Sequence, residues 1–245
     1  MDLIVKATVR GFRDLFQFKV LWIVIWPLLV ATFSWLIIGA VFWDTFSEWI
    51  ANGLAAIGVQ PWLDGLEPRW VANTIQGIAH LFLFVPLVFI SALLITAVFG
   101  MPALIALVAE RDFPQLSREN GGSITANLLN AALAIVIFIA IWIVSLPLWF
   151  IGVGVVIPFV AAAYLNQRLF RFDALAEHAS SEELQALFTR YQSSWWGLGL
   201  LTGLLQFVPI LNLFAPVLTA LTFIHFGLDR LQELRGEEAH ISLTN

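Results

Sequence analysis

Long stretches without any charged residue alternate with short polar segments along this chain. One such stretch, 195–228, would measure about 50 Å as a straight helix, well beyond the roughly 30 Å hydrocarbon core of a bilayer. Pro209 and Pro216 bracket its middle, and Asn212 lies between them with a side chain that can bond freed backbone groups. The pattern predicts a re-entrant hairpin with two short arms that enters and leaves the membrane on one side.

The middle of the chain repeats this arrangement, and we predict a second re-entrant hairpin over 127–167. Proline and glycine residues interrupt the apolar run near its centre, at Pro147, Gly152, Gly154 and Pro158. A non-helical tip at membrane depth must be buried in protein or line a polar cavity. The two hairpins therefore indicate an oligomer or a permeation path.

Two further apolar blocks, 20–43 and 78–109, are each long enough to cross a bilayer once. The predicted fold class is an all-α integral membrane protein with two long transmembrane helices, two Pro/Gly-broken half-penetrating hairpins and interfacial amphipathic helices. The whole chain, 1–245, forms a single membrane domain in this prediction.

The remaining segments are polar. Residues 1–19 predict an interfacial amphipathic helix, and 229–245 reads as a charged tail. Residues 168–194 predict a cytoplasmic amphipathic segment, in which Ser180 and Glu183 have the spacing of a helix capping box.

Composition supports a membrane protein and excludes several other classes. Hydrophobic residues make up 60% of the chain and charged residues 12%, whereas ordinary globular domains are about 25% charged. The chain has no cysteine, and its net charge of −5 argues against nucleic-acid binding. No catalytic motif, cofactor motif or metal-ligand spacing is present, so we expect neither an enzyme nor a cofactor or metal.

The four histidines are far apart in sequence. His80 and His225 lie in apolar blocks, where we expect them to make hydrogen bonds near a membrane interface. We expect His178 and His240 to be solvated.

The positions of the basic residues indicate the orientation in the membrane. Of the twelve lysines and arginines, only Arg69 lies in the connection between the first two apolar blocks. The other eleven become cytoplasmic if both hairpins return to their own side, which places both termini in the cytoplasm of a plasma (bacterial inner) membrane. Six full crossings would give the same sidedness, so that alternative stays open.

Small-anion binding is the chemistry that the sequence favours. Unpaired N–H groups at the hairpin breaks suit an anion, although Gly152 and Gly154 could equally serve only to permit a tight turn. Basic side chains offer a second set of contacts at the cytoplasmic mouth. These candidates are Arg10, Gly11 and Arg13 before the first span, and Arg168 and Arg171, one turn apart after the first hairpin.

Two segments carry a family resemblance: FVPILNLFAPVLTALTFIHF in the last hairpin and YLNQRLFRFDALAEHAS before it. They resemble the bacterial CysZ-type sulfate permeases and the related etoposide-induced-protein family. The resemblance implies two spanning helices, two half-penetrating hairpins, cytoplasmic termini, a homo-oligomer in the lipid bilayer, and movement of sulfate into the cell.

The chain departs from that family at one motif. Sulfate-transporting members carry a Gly-x-Arg-Arg-like anion motif just before the first span, whereas the matching positions here read Lys19, Val20, Leu21 and Trp22. Lys19, or the earlier Arg10 and Arg13, would have to substitute for it. We therefore expect a transporter or channel for a small inorganic anion, with sulfate as the first candidate. The alternative is a non-transporting membrane-shaping or scaffold protein.

Overall fold

The computed structural model describes residues 2–119, 124–150, 152–212 and 214–244, and every regular element in those ranges is helical. The α-helices are α1 Asp2–Leu15, α2 Phe18–Val41, α3 Trp43–Ala56, α4 Val59–Asp64, α5 Arg69–Asp112, α6 Ile124–Phe150, α7 Ile157–Leu175, α8 Ser181–Arg190, α9 Gln192–Leu205, α10 Pro209–Asn212 and α11 Ala215–Thr244. A short 3₁₀ helix, Val153–Val156, precedes α7. The chain divides into two compact units, Trp22–Gly100 and the remainder, Met1–Leu21 with Met101–Asn245.

The unit Trp22–Gly100 keeps much of its apolar surface exposed. The ring of Phe46 lies in its interior, with its centroid 5.0 Å from that of the Phe84 ring. Trp35 Nε1 donates a hydrogen bond to Ser91 Oγ at 2.9 Å. His80 bonds Ser47 and the Gln76 carbonyl, as the sequence predicted for a histidine in an apolar block. Outward-facing apolar side chains on long helices are what lipid contact requires.

In the part of the chain that the structure describes, three helices are long and apolar enough to cross a membrane, one more than the two spans predicted. They are Phe18–Val41, Arg69–Thr96 and Leu128–Phe150. The first two overlap the predicted spans 20–43 and 78–109. The third lies in the first arm of the predicted hairpin 127–167, because α6 continues through Pro147 rather than breaking there. The half-penetrating course of both hairpins remains a prediction.

The break of the first hairpin falls after α6. Pro147 lies in the last turns of that helix, where the missing N–H costs a single hydrogen bond. Gly152 has φ +78°, a left-handed conformation that favours glycine, and a Cβ at Gly154 would lie 2.6 Å from the Trp149 ring. Pro158 follows at the start of α7. The left-handed backbone at Gly152 and the close contact at Gly154 are each sufficient reason for a glycine, and anion binding at this break stays a prediction.

The second break lies between α9 and α11. Pro209 begins the short α10 and Asn212 ends it, with the Asn212 N–H donating to the Val208 carbonyl at 2.8 Å. Pro216 is the second residue of α11, a position that needs no N–H donor.

The helices do not end where the sequence pattern placed the segment limits. Helix α7 continues past residue 167 to Leu175, and α11 continues past residue 228 to Thr244. The charge-free runs therefore mark where the surroundings change along a helix, and not where the helix stops.

Helix α11 forms the centre of the unit that contains both termini. Every residue from Val217 to Leu228 is buried. Trp195 is fully buried beside it, with its ring 4.7 Å from Phe226, and its Nε1 donates to the Leu187 carbonyl at 3.2 Å. Burial of this kind is typical of a helix packed against protein rather than lipid.

The predicted capping box is confirmed at the start of α8. The Ser180 hydroxyl accepts from the Glu183 N–H at 3.2 Å, and the Glu183 carboxylate accepts from the Ser180 N–H at 2.6 Å. Arg235 bonds the same carboxylate and also the carbonyl of His178. The expectation that His178 is solvated is wrong, because the fold closes over it and leaves its side chain buried.

Candidate anion-binding site

Helix α1 packs against α11 through small and polar residues. Ala7, Gly11, Asp14 and Leu15 are its buried positions, spaced along one helical face. A Cβ at Gly11 would lie 2.9 Å from Thr222 Oγ1 and 3.1 Å from the Thr222 backbone nitrogen. Gly11 therefore permits the close approach of the two helices.

This close approach brings the Asp14 carboxylate into contact with α11. Asp14 is fully buried, and its Oδ2 lies 2.7 Å from Nε2 of His225. The Gln17 amide donates to its other oxygen at 2.6 Å, and the Arg111 guanidinium donates to Oδ2. A buried carboxylate is stable only with such partners, so this network fixes α1 against α11 and the end of α5.

Arg111 links Asp14 to a second carboxylate, that of Asp112. The Arg111 Nε and one terminal nitrogen donate to the two Asp112 oxygens at 2.9 and 2.6 Å. This hydrogen bonding holds the pKa of Asp112 below its usual range, and the same bonds raise the pKa of Arg111. Both groups are therefore charged at neutral pH.

Asp14, Asp112 and His225 are also residue types that bind metal ions, and their ligand atoms lie within 4.8 Å of one another. The Arg111 guanidinium donates to both carboxylates and supplies the positive charge that a cation would bring. His225 Nδ1 lies 3.8 Å from Asp112 Oδ2, on the other side of the ring from Asp14. The arrangement fits an ion-pair network better than a metal centre.

A polar cavity of about 450 Å³ opens beside this network. It is lined by Arg10, Arg13, Arg111, Asp112, Phe113, Asp229 and Gln232. Arg10 lies 3.5 Å from Asp229, whereas Arg13 has Asp14 at 3.7 Å and keeps 72% of its side chain exposed. Three guanidinium groups and two carboxylates thus face one volume. The Asp14 carboxylate, buried behind Arg13 and Arg111, balances the third arginine.

The structure brings together only part of the predicted anion set. Arg10 and Arg13 line the cavity, whereas Gly11 is buried against α11 and serves packing. Lys19 is exposed on α2 and is not among the lining residues.

Arg168 and Arg171 also lie away from the lining, on α7. The Arg171 guanidinium sits over the Phe188 ring at 4.4 Å, and the Arg168 carbonyl accepts from the Asn130 amide at 3.2 Å. In the described part of the chain neither arginine forms an ion pair.

Sequence reasoning missed the carboxylates and the third arginine of this site. Asp14 and His225 are 211 positions apart, and nothing in a single sequence pairs them. One signal was available: Asp14 shares a helical face with the small residues Ala7 and Gly11, which marks it for burial. A carboxylate on a buried face needs a cationic or histidine partner, but the identity of that partner comes only from the fold.

Membrane-length apolar helices indicate a helical membrane protein, and arginine side chains line a cavity in the unit that contains both termini. Comparison with protein families agrees: the model of the family described as sulfate transporter CysZ/etoposide-induced protein 2.4 matches residues 7–216. The chain belongs to this family, which associates it with a role related to sulfate transport. No curated protein and no solved structure matched the chain.

Proposed function

We propose that the protein moves a small inorganic anion, with sulfate as the first candidate, across the bacterial inner membrane without a cofactor. The family supports this substrate class, and the arginine-lined cavity supplies the chemistry. Arginine presents a planar fork of donors that matches the oxygens of a tetrahedral oxyanion, and two or more forks can bind one anion together.

The observation that carries the proposal is that the Arg13 guanidinium is exposed and is not used up by a close ion pair. Its side chain is largely exposed to the cavity, and its carboxylate neighbour, Asp14, is already bonded by Gln17, Arg111 and His225. Arg13 therefore has donors left for a ligand. Arg10 faces the same volume with a single longer contact to Asp229, so the two arginines together can bind an entering anion.

This assignment also accounts for the motif that the chain lacks. The matching positions 19–22 contain one base, Lys19, where family transporters carry paired arginines. In our proposal Arg10 and Arg13, one helical turn apart on α1, take over the role of that pair. The cavity then lies at the cytoplasmic mouth, with both termini on that side, and a homo-oligomer surrounds the path.

The test is radiolabelled sulfate uptake into proteoliposomes, with chloride and phosphate as competitors. We expect saturable uptake by the wild-type protein and a loss of about tenfold in Arg13→Gln, because one charge-assisted contact is removed. Arg118→Gln is the matched control: Arg118 pairs with Glu177 at 2.9 Å and does not line the cavity. Equal uptake by the two variants would remove Arg13 from the site.

One observation favours a second function, that of a membrane-shaping protein without transport. Helix α1 and the residue just beyond it expose an apolar stripe with helical spacing, formed by Val5, Val9, Phe12 and Phe16. Such a stripe inserts into the headgroup region and alters the curvature of the membrane. This function predicts no anion flux from folded, correctly inserted protein, together with a change in vesicle shape that Phe12→Ser/Phe16→Ser abolishes.

A further inference from the structure

Helix α7 carries two arginines that have no carboxylate oxygen within 4.0 Å among the described residues. Arg168 and Arg171 lie one turn apart, so their side chains project from the same face of the helix. Every other arginine from Arg10 to Arg235 in this terminal-containing unit lies within 4.0 Å of a carboxylate oxygen. This pair is the exception.

Both guanidinium groups are partly withdrawn from water. The Arg168 Nε is buried and has no hydrogen-bond partner in the described part of the chain. Arg171 lies against the face of the Phe188 ring, which contributes a weak attraction to a cation but no acceptor oxygen. A buried donor without an acceptor costs free energy, so an acceptor oxygen bound here would stabilise the arrangement.

The electrostatics of the pair agree with this geometry. Burial, with the charge of Arg168 in addition, lowers the pKa of Arg171 to about 10. Two like charges that repel each other in a partly buried position are stabilised by an anion between them.

We propose that Arg168 and Arg171 together bind a tetrahedral oxyanion, of the phosphate or sulfate class, at a site separate from the cavity of Arg10 and Arg13. Two arginines spaced one turn apart present several parallel donors to one such group. This proposal does not rest on the proposed transport function, because binding at this site can occur whether or not the protein moves an anion.

Two sources supply this chemistry: the phosphate of an anionic lipid headgroup, or free sulfate. Tyr164 and Trp196 pack against each other at 6.1 Å, and Tyr164 lies one turn before Arg168. Tyrosine and tryptophan of this kind are enriched at the headgroup level of a bilayer, where a lipid phosphate would be available. The experiment therefore has an arm for each source.

The lipid probe is phosphatidylglycerol, with phosphatidylcholine for comparison. Native mass spectrometry counts the lipid molecules that stay bound to the detergent-purified protein. The free-anion probe is sodium sulfate, whose binding is measured by calorimetric titration. In Arg168→Gln/Arg171→Gln we expect retained phosphatidylglycerol, sulfate affinity, or both to fall about tenfold. A fall in lipid retention alone identifies the headgroup as the ligand, and a fall in sulfate affinity identifies the free anion.

Three comparisons make the result decisive. Arg190→Gln removes a paired, exposed arginine on the neighbouring helix and should change neither signal. Arg168→Lys/Arg171→Lys keeps both charges but loses the forked geometry, and should show an intermediate loss even if the glutamine variant folds poorly. Arg13→Gln, measured alongside, separates sulfate bound in the cavity from sulfate bound on α7. Unchanged binding of both probes in folded variants would overturn the site, whatever the uptake assay shows.

Discussion

Two groups of partly buried arginines in the same unit have opposite surroundings. Around Asp14, the Arg111 guanidinium donates to two carboxylates and is balanced by them. On α7, Arg168 and Arg171 lie one turn apart, with the Phe188 ring against Arg171 and no ion-pair partner in the part of the chain that the structure describes. The first group has the composition of a structural network, and the second has the composition that we propose for an anion site.

The difference separates arginines that hold the fold together from arginines available for anions. Removing one member of a balanced buried network leaves a charge without compensation, which costs much of the stability of a protein. Removing a member of an unbalanced pair relieves repulsion and leaves no buried carboxylate behind. Stability measurements therefore distinguish the two groups without any transport assay.

The largest effect is expected at Arg111. Arg111→Leu leaves the buried Asp14 with His225, Gln17 and the more distant, largely exposed Arg13 as partners, and we expect a loss of about 3 kcal/mol in the free energy of unfolding. Unfolding by denaturant in mixed micelles measures it. Asp14→Asn/Arg111→Leu should recover part of the loss, because the fully buried carboxylate charge is removed and only the part-exposed Asp112 is left without its arginine partner. A stability equal to that of wild type in the single variant would contradict the structural role of the network.

A somewhat smaller effect is expected at Gly11, which sets the distance between α1 and α11. Gly11→Ala places a methyl group 3.1 Å from the Thr222 backbone nitrogen, so the helices must separate, at a cost of about 2 kcal/mol. Gly53→Ala is a suitable control, because a Cβ there meets nothing within 4 Å. If Gly11 instead contacts the anion through its backbone, the variant will lose sulfate binding while keeping the stability of the wild-type protein.

These examples show what the sequence could and could not predict. Local patterns were sufficient for the capping box at Ser180 and for the apolar runs, because residues a few positions apart determine them. The hydrophobic pattern could not show whether an apolar helix is surrounded by lipid or by protein. Helix α11 is buried along 217–228 and α2 is mostly exposed, although both read as apolar runs.

The site was predicted to a similar extent. The sequence shows that Arg10 and Arg13 are close together on one helix. It does not show that the same cavity is lined by Arg111, from the C-terminal end of α5, and by Asp229, from α11. Such contacts depend on how helices pack, and packing is decided by many weak contacts over the whole unit.

A smaller effect is expected from the carboxylate of Glu183, which resembles Asp14 in its pairing with arginine. Burial raises the pKa of Glu183, but hydrogen bonds from Arg235 and from the Ser180 N–H outweigh it and hold the pKa below its usual value. Because the folded-state pKa is depressed, the stabilisation is present above the unfolded value of about 4.3 and is lost as pH falls through the folded value.

We therefore expect Glu183→Gln to lose about 1 kcal/mol of stability at pH 7, and the difference from wild type to shrink as the pH falls below about 4. Thermal unfolding of both proteins across this pH range measures the effect. Glu182→Gln, an exposed neighbour in the same helical turn, should match wild type throughout. A difference that persists unchanged at low pH would assign the effect to packing.

The smallest effect is expected where the charge is unbalanced. Arg168→Gln/Arg171→Gln removes two partly buried cations and breaks no ion pair in the described part of the chain. The lost contact with Phe188 and the relieved repulsion oppose each other, so in anion-free detergent we expect a change within about 0.5 kcal/mol. Adding sulfate or phosphatidylglycerol should then stabilise wild type more than the variant, since a ligand that binds only the folded state adds to its stability. A loss as large as that of Arg111→Leu before any ligand is added would show that the α7 pair is structural, and the contrast between the two groups would fail.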